Sequence, residues 1–230
     1  MLNVKNSNEN LMKKNNDILR KEIMEAIKWE PVLQPNKIEV SVEDGIVTLA
    51  GTVGNYNQKK EAQHIIKDIS GIKTIVDDVQ VDLSCSSIAN DKEIASSVIK
   101  ALEKKWIIPT HRLTVTVKDG WVTLDGILHW NFQRETADKV IRYLEGVRGV
   151  IDNIKIQAEI DNEIEKDIIE KALKRSWILD IGNIKVRVDG KTIFLSGIVS
   201  SIFQKEEAER LAWNTAGVWQ VENEILVEFD

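Results

Sequence analysis

The sequence predicts an α+β protein of three tandem αββαβ domains, each a three-stranded mixed sheet covered by two helices on one face. Three observations carry that reading. Asp44-Gly45-Ile46-Val47-Thr48-Leu49-Ala50-Gly51 returns as Asp119-Gly120-Trp121-Val122-Thr123-Leu124-Asp125-Gly126. It returns again, one residue longer, as Asp189-Gly190-Lys191-Thr192-Ile193-Phe194-Leu195-Ser196-Gly197. Leu124 follows Leu49 by 75 residues and Leu195 follows Leu124 by 71, and the same offsets align Gln58, Gln133 and Gln204, then Gly71, Gly146 and Gly217. So long a period copies a small domain rather than a solenoid unit of about 20–50 residues. The domains span 17–83, 90–156 and 162–230, and residues 1–16, with six asparagines, read as a disordered tail.

Each unit opens on an amphipathic helix. Leu19, Ile23, Ala26 and Ile27 repeat at helical spacing, as do Ile94, Ala95, Val98, Ile99 and Leu102, and then Ile164, Ile168, Ile169, Ala172 and Leu173. Asn90 and Glu93 form a capping box at the second of these helices. Strands of period two follow at 38–42, 113–117 and 184–188, each running into an Asp-Gly turn and a second strand. The second helix carries a capping box in two copies, Asn55 with Gln58 and Ser201 with Gln204, and buries Ala62, Ala137 and Ala208. Gly71, Gly146 and Gly217 stand where a left-handed helix cap is expected, and short third strands are predicted from Val79, Ile154 and Ile225. Helices on one sheet face bury Val47/Leu49, Val122/Leu124 and Ile193/Leu195. The other face, with Ile46, Trp121, Thr123 and Phe194, is apolar enough to predict packing between repeats.

Composition narrows the function. A net charge of −6 gives no general footprint for nucleic acid, so no nucleic-acid partner is expected. One cysteine, Cys85 in the linker Ser84-Cys85-Ser86-Ser87, excludes an intrachain disulfide. No apolar stretch near Met1 has the form of a secretory signal, so the expected compartment is the cytoplasm, or the periplasm if the N-terminus is incomplete.

The motif V-x-V-x-D-G-x-V-x-L-x-G, at Val40–Gly51, Val115–Gly126 and, with its extra residue, Val186–Gly197, resembles the BON domain of bacterial osmotic-stress and nodulation proteins. So do Gly71-Ile72, Gly146-Val147 and Gly217-Val218 before each third strand, and the family's asparagine is matched by Asn153 and, less closely, Asn223, with Asp78 in the first repeat. The resemblance covers about residues 17–230. It implies a non-enzymatic binding protein of the stress response, meeting an anionic phospholipid or membrane surface. The alternatives are a protein-interaction scaffold or a small-molecule sensor. It supplies neither ligand nor oligomeric state.

No enzyme signature competes with this reading. Gly190-Lys191-Thr192 imitates the end of a phosphate-binding loop, but the glycine that motif needs is Lys185. Gly146-Val147-Arg148-Gly149 fits an RNA-clamping GxxG in one repeat only and reads as a helix cap. His64, His111 and His129 lack metal-ligand spacing, so neither metal nor cofactor is expected. Seven tryptophans remain. Trp29, Trp106 and Trp177 recur after the first helix and read as structural packing. Trp130, beside His129 and Phe132, takes the cap position of Asn55 and Ser201. Trp213 replaces Lys67 and Arg142, Trp219 replaces Lys73 and Arg148, and Trp121 replaces Ile46. An aromatic where sister repeats carry a charge or a cap breaks a local rule, as contact surfaces do. These residues are candidates either for contact between repeats or for a lipid, ligand or partner surface.

Overall fold

A computed structural model describes residues 2–34, 37–83, 90–157, 166–176 and 184–228, with side chains from Asn16 onward. Cys85, Trp177 and the linker beyond Gln157 lie outside the described residues. The first repeat is α1 (Leu2–Trp29), β1 (Ile38–Glu43), β2 (Ile46–Val53), α2 (Tyr56–Lys67) and β3 (Thr74–Val81). The second is α3 (Asp91–Glu103), β4 (Leu113–Lys118), β5 (Trp121–Leu128), α4 (Asn131–Ile141) and β6 (Gly149–Ile156). The third is α5 (Lys166–Arg175), β7 (Ile184–Asp189), β8 (Thr192–Val199), α6 (Ile202–Trp213) and β9 (Gln220–Val227). In each, a hairpin pairs antiparallel and the third strand joins the hairpin's second strand in parallel, giving three separate mixed sheets. The parallel return needs a crossover, and the second helix supplies it.

The predicted inner residues are buried: Val47, Leu49, Val122, Leu124, Ile193 and Leu195 are all closed to solvent. Ile23, Ile27, Ala62 and Ile66 cover the first sheet, and the same positions serve in the other repeats. The last glycine of the motif is set by a close approach. A Cβ on Gly126 would stand 2.2 Å from the Arg112 carbonyl oxygen, and one on Gly51 would stand 2.1 Å from that of Lys37. The hairpin turns differ between repeats. Asp44 and Gly45, and Asp119 and Gly120, all have positive φ, the pattern of a type I′ turn. In the third repeat the pairing of Asp189 with Thr192 leaves Gly190-Lys191 as the loop, and of these two only Gly190 is left-handed. That is the type II′ pattern, so the glycine has moved one place and the loop keeps its length.

Three expectations are corrected. Residues 2–16 are helical, continuous with α1, rather than a disordered tail. Once Leu19, Ile23 and Ile27 are packed, helix extends backward through a stretch free of glycine and proline at one hydrogen bond per residue. The third strands begin five residues earlier than predicted, at Thr74, Gly149 and Gln220. The inward carboxylates Asp77 and Asp152 mask their apolar pattern, and Asp77 is tolerated there because Lys59 pairs with it at 2.8 Å and Gln63 donates to it at 2.6 Å. The outer sheet faces are not covered by neighbouring repeats: Trp121 remains 45% exposed and Ile151 also 45%. The repeats meet mainly through helices instead, with Val81 of β3 also packed on the core of repeat 2.

Candidate functional site

The second helices contact one another head to tail, and equivalent positions are used at each junction. Tyr56 opens α2 and enters the hydrophobic core of repeat 2, where it is 4% exposed. Its hydroxyl lies at the Val150 backbone, near Asp138 and Arg142 of α4, and burial, seconded by Asp138, raises its pKa. One repeat on, the guanidinium of Arg134 in α4 sits 4.9 Å from the ring of Trp213, the last residue of α6. One repeat further, Ile202 opens α6 and packs on the core of repeat 1. Phe203 meets His64 edge to face at 6.1 Å, and Glu206 pairs with Lys67 at 2.6 Å. Tyr56, Asn131 and Ile202 are register-equivalent, as are Lys67, Arg142 and Trp213. The contacts run from repeat 1 to 2, 2 to 3 and 3 to 1, a cyclic arrangement of heterologous interfaces.

The junctions are filled unequally. Tyr56 plugs the first and Trp213 with Arg134 the second. At the third, isoleucine stands in the Tyr56 position and lysine in the Trp213 position. A cleft of about 900 Å³ opens there, lined by Lys73 and Thr74 of repeat 1 and by α6 and β9 of repeat 3.

The first helices present a different surface. Trp29 is 84% exposed and Trp106 92%, so the expected structural packing of the recurring tryptophans is corrected for both. Trp29 ends α1 and Trp106 lies just past α3, both beyond the last buried helical residues Ile27 and Leu102 and before the chain returns to the core at Leu33 and Ile108. Lys28 precedes Trp29, and Lys104 and Lys105 precede Trp106, all exposed.

The residues singled out from the sequence do not form one site. His129, Trp130 and Phe132 come together at the β5–α4 junction. Trp130 stacks on Phe132 with centroids 6.3 Å apart, and His129 Nδ1 lies 2.8 Å from the Gln157 carbonyl while its other nitrogen contacts Arg112. Trp130 has no side-chain oxygen to cap α4, and Gln133 compensates by accepting from the backbone N–H groups of His129 and Trp130. Trp213 is half-buried between repeats 2 and 3. Trp219 lies half-exposed at the start of β9 with the Lys191 ammonium 5.8 Å from its ring. Trp121 lies on the outer face of β5 with its ring over Gly149, where a Cβ would meet it at 2.3 Å. Sequence reasoning missed Tyr56, Ile202 and Lys67, whose signal was the mismatch among equivalent positions.

The inner polar position of the third strand also differs. Asp77, Asp152 and Asn223 are equivalent, so Asn223 matches Asp152 rather than Asn153. In each, Oδ1 accepts a strand N–H two residues on. Burial raises the pKa of Asp152, offset by the Ile154 N–H and Arg134. Among the described residues no cluster of three or more His, Cys, Asp or Glu side chains could hold a metal, and no helix is long and apolar enough to cross a membrane.

Three αββαβ units joined in a ring define a class of tandem-domain protein. The sequence model of the BON domain matches residues 15–82, 90–158 and 160–228, so the chain belongs to the BON domain family. It is 26% identical over 127 residues to osmotically-inducible protein Y of Escherichia coli (strain K12), covering 54% of this chain and 63% of that one, under two thirds of its length. Two structures of CdsD, a structural protein of the type III secretion system of Chlamydia trachomatis, align over 90% of this chain at 15% identity. One, the C-terminal domain, is covered to 96% and the other to 90%, each with a TM-score of 0.24.

Proposed function

We propose that the chain is a non-enzymatic stress protein that docks on anionic phospholipid surfaces through the exposed ends of its first helices. The single observation behind this reading is the pair Trp29 and Trp106, each just past the last buried residue of a first helix yet almost fully exposed. A large aromatic left this exposed adds little to its own core, so folding alone does not account for it. Indole suits a boundary that is apolar at one end and wet at the other. The adjoining lysines add attraction to an anionic leaflet, about 1 kcal/mol each near its surface. Helix dipoles favour lysines at these ends too, but they ask nothing of a tryptophan. The similarity to osmotically-inducible protein Y supports the osmotic-stress context.

The test is flotation with vesicles of anionic or neutral phospholipid. The wild-type chain should float with anionic vesicles at low salt, with a blue shift in tryptophan emission. The Trp29→Ser/Trp106→Ser double variant should stay behind with its thermal midpoint unchanged. Equal flotation of the two proteins, or none for either, would reject the reading.

A further inference from the structure

We infer that the cleft between repeats 3 and 1 binds an amphiphilic monoanion, a carboxylate or phosphate group carrying a short apolar chain. The argument begins with one cation. Lys59, Arg134 and Lys205 occupy the same position on the three second helices. Lys59 meets Asp77 at 2.8 Å, and Arg134 stands 3.8 Å from Asp152. The third repeat has Asn223 in that place. Its Oδ1 still accepts from the Ile225 N–H, but its second polar atom is an amide nitrogen, a donor, which cannot hold an ammonium. That nitrogen turns to the Lys205 carbonyl oxygen and to Glu209, both at 3.0 Å. Lys205 is left half-buried without a carboxylate partner among the described residues, and it lines the junction where Ile202 and Lys67 stand in the places of Tyr56 and Trp213.

The rest of the cleft sets the class of ligand. Its volume, about 900 Å³, suits a small organic molecule. Ile225, Leu226 and Val227 of β9 and Glu228 just beyond it line the cleft, so it runs along the free edge of that strand. Ile202 and Val227, both partly buried and on the helix side of the sheet, supply its apolar part. The acidic lining is largely committed: Glu206 to Lys67 and Glu209 to Asn223. An anionic head at Lys205 with a tail along Ile202 and Val227 satisfies both halves. This site is distinct from the membrane surface proposed above and stands without it.

Decanoate, kept below its micellar range, is the probe, titrated into the full chain by calorimetry and by amide NMR. Decyl phosphate and inorganic phosphate serve as comparisons. Decanoate should saturate one site and move the amides of Lys205, Leu226 and Val227. Lys205→Gln should weaken it about tenfold or more, as loss of a charge-assisted contact does. Val227→Thr, which keeps the side chain's shape, should weaken decanoate and leave inorganic phosphate unaffected. Decyl phosphate binding as well as decanoate would extend the site to phosphate heads, whereas inorganic phosphate binding equally well would remove the apolar half of the proposal. Absence of saturation, an unchanged affinity in Lys205→Gln, or shifts confined to Trp29 and Trp106 would overturn it. The Trp29→Ser/Trp106→Ser variant should bind decanoate like wild type, so this site and the vesicle surface fail separately.

Discussion

Each repeat has two helices, and they obey opposite rules. The ends of the first helices carry tryptophan and leave it wet, as Trp29 and Trp106 show. The second helices discard register identity where they touch: Tyr56, Asn131 and Ile202 share a position, yet each fits a different neighbour. Contact between unlike repeats requires unlike residues, because each end must complement the next repeat rather than resemble its own sisters. Recurrence therefore marks the core of each repeat, and variation among equivalent positions marks the ring.

The largest test of this comparison sets Tyr56 against Trp106. Tyr56→Ala empties a buried aromatic site between repeats and should cost about 3 kcal/mol or more in urea unfolding. Trp106→Ser removes a larger ring from an exposed position and should change stability by less than about 0.5 kcal/mol. Equal losses would break the contrast between the two helix classes.

Trp213→Ser comes next. Trp213 is half-buried and faces Arg134, so its loss combines partial burial with a cation–π contact worth about 0.5–1 kcal/mol. We expect a total near 2 kcal/mol, read as a lower unfolding midpoint, with vesicle flotation unaffected. A flotation defect at unchanged stability would move Trp213 from the ring to the binding surface. Gly146→Val sharpens the comparison from inside a repeat. Gly146 has φ 83°, beyond the ease of a β-branched residue, and about 1 kcal/mol or more should be lost. An unchanged midpoint would mean that the end of α4 can refold around the substitution.

The fold was largely legible because hairpin chemistry and helical periodicity are local. Asp44-Gly45 and the stripe of Ala62 and Ile66 announce themselves whatever the neighbours do. The third strands were legible only at their apolar ends, since Asp77 and Asp152 face inward beside cations contributed by a distant helix. The ring was hidden for the same reason: nothing near Tyr56 in sequence reveals that Val150 will lie beside it. Trp130 stood out by breaking a cap rule, but its role in the structure is a local stack with Phe132. Exposure of Trp29 and Trp106 was illegible because recurrence fits a core site and a surface site equally well.

The smallest expected effect belongs to Asp152, and it compares a repeat with its own sister. The third repeat already carries asparagine in this position, so Asp152→Asn imitates Asn223 in repeat 2. Burial raises the Asp152 pKa in the folded state, so the ionised carboxylate is less favourable there than in the unfolded chain. Above the raised folded value both states are ionised and the folded protein bears the full cost. As pH falls through that value toward the ordinary carboxylate pKa, the folded state takes up its proton first and the cost disappears. Relative to wild type, Asp152→Asn should therefore be slightly more stable near neutral pH, with the advantage fading on acidification through that window. Arg134 opposes the gain, because at 3.8 Å it loses a weak ionic partner. Paired thermal melts along an acid-to-neutral series measure the difference directly. A wild-type advantage that grows as pH rises would show that the Arg134 pair outweighs burial, and that Asp77 and Asp152 stabilise their repeats by charge.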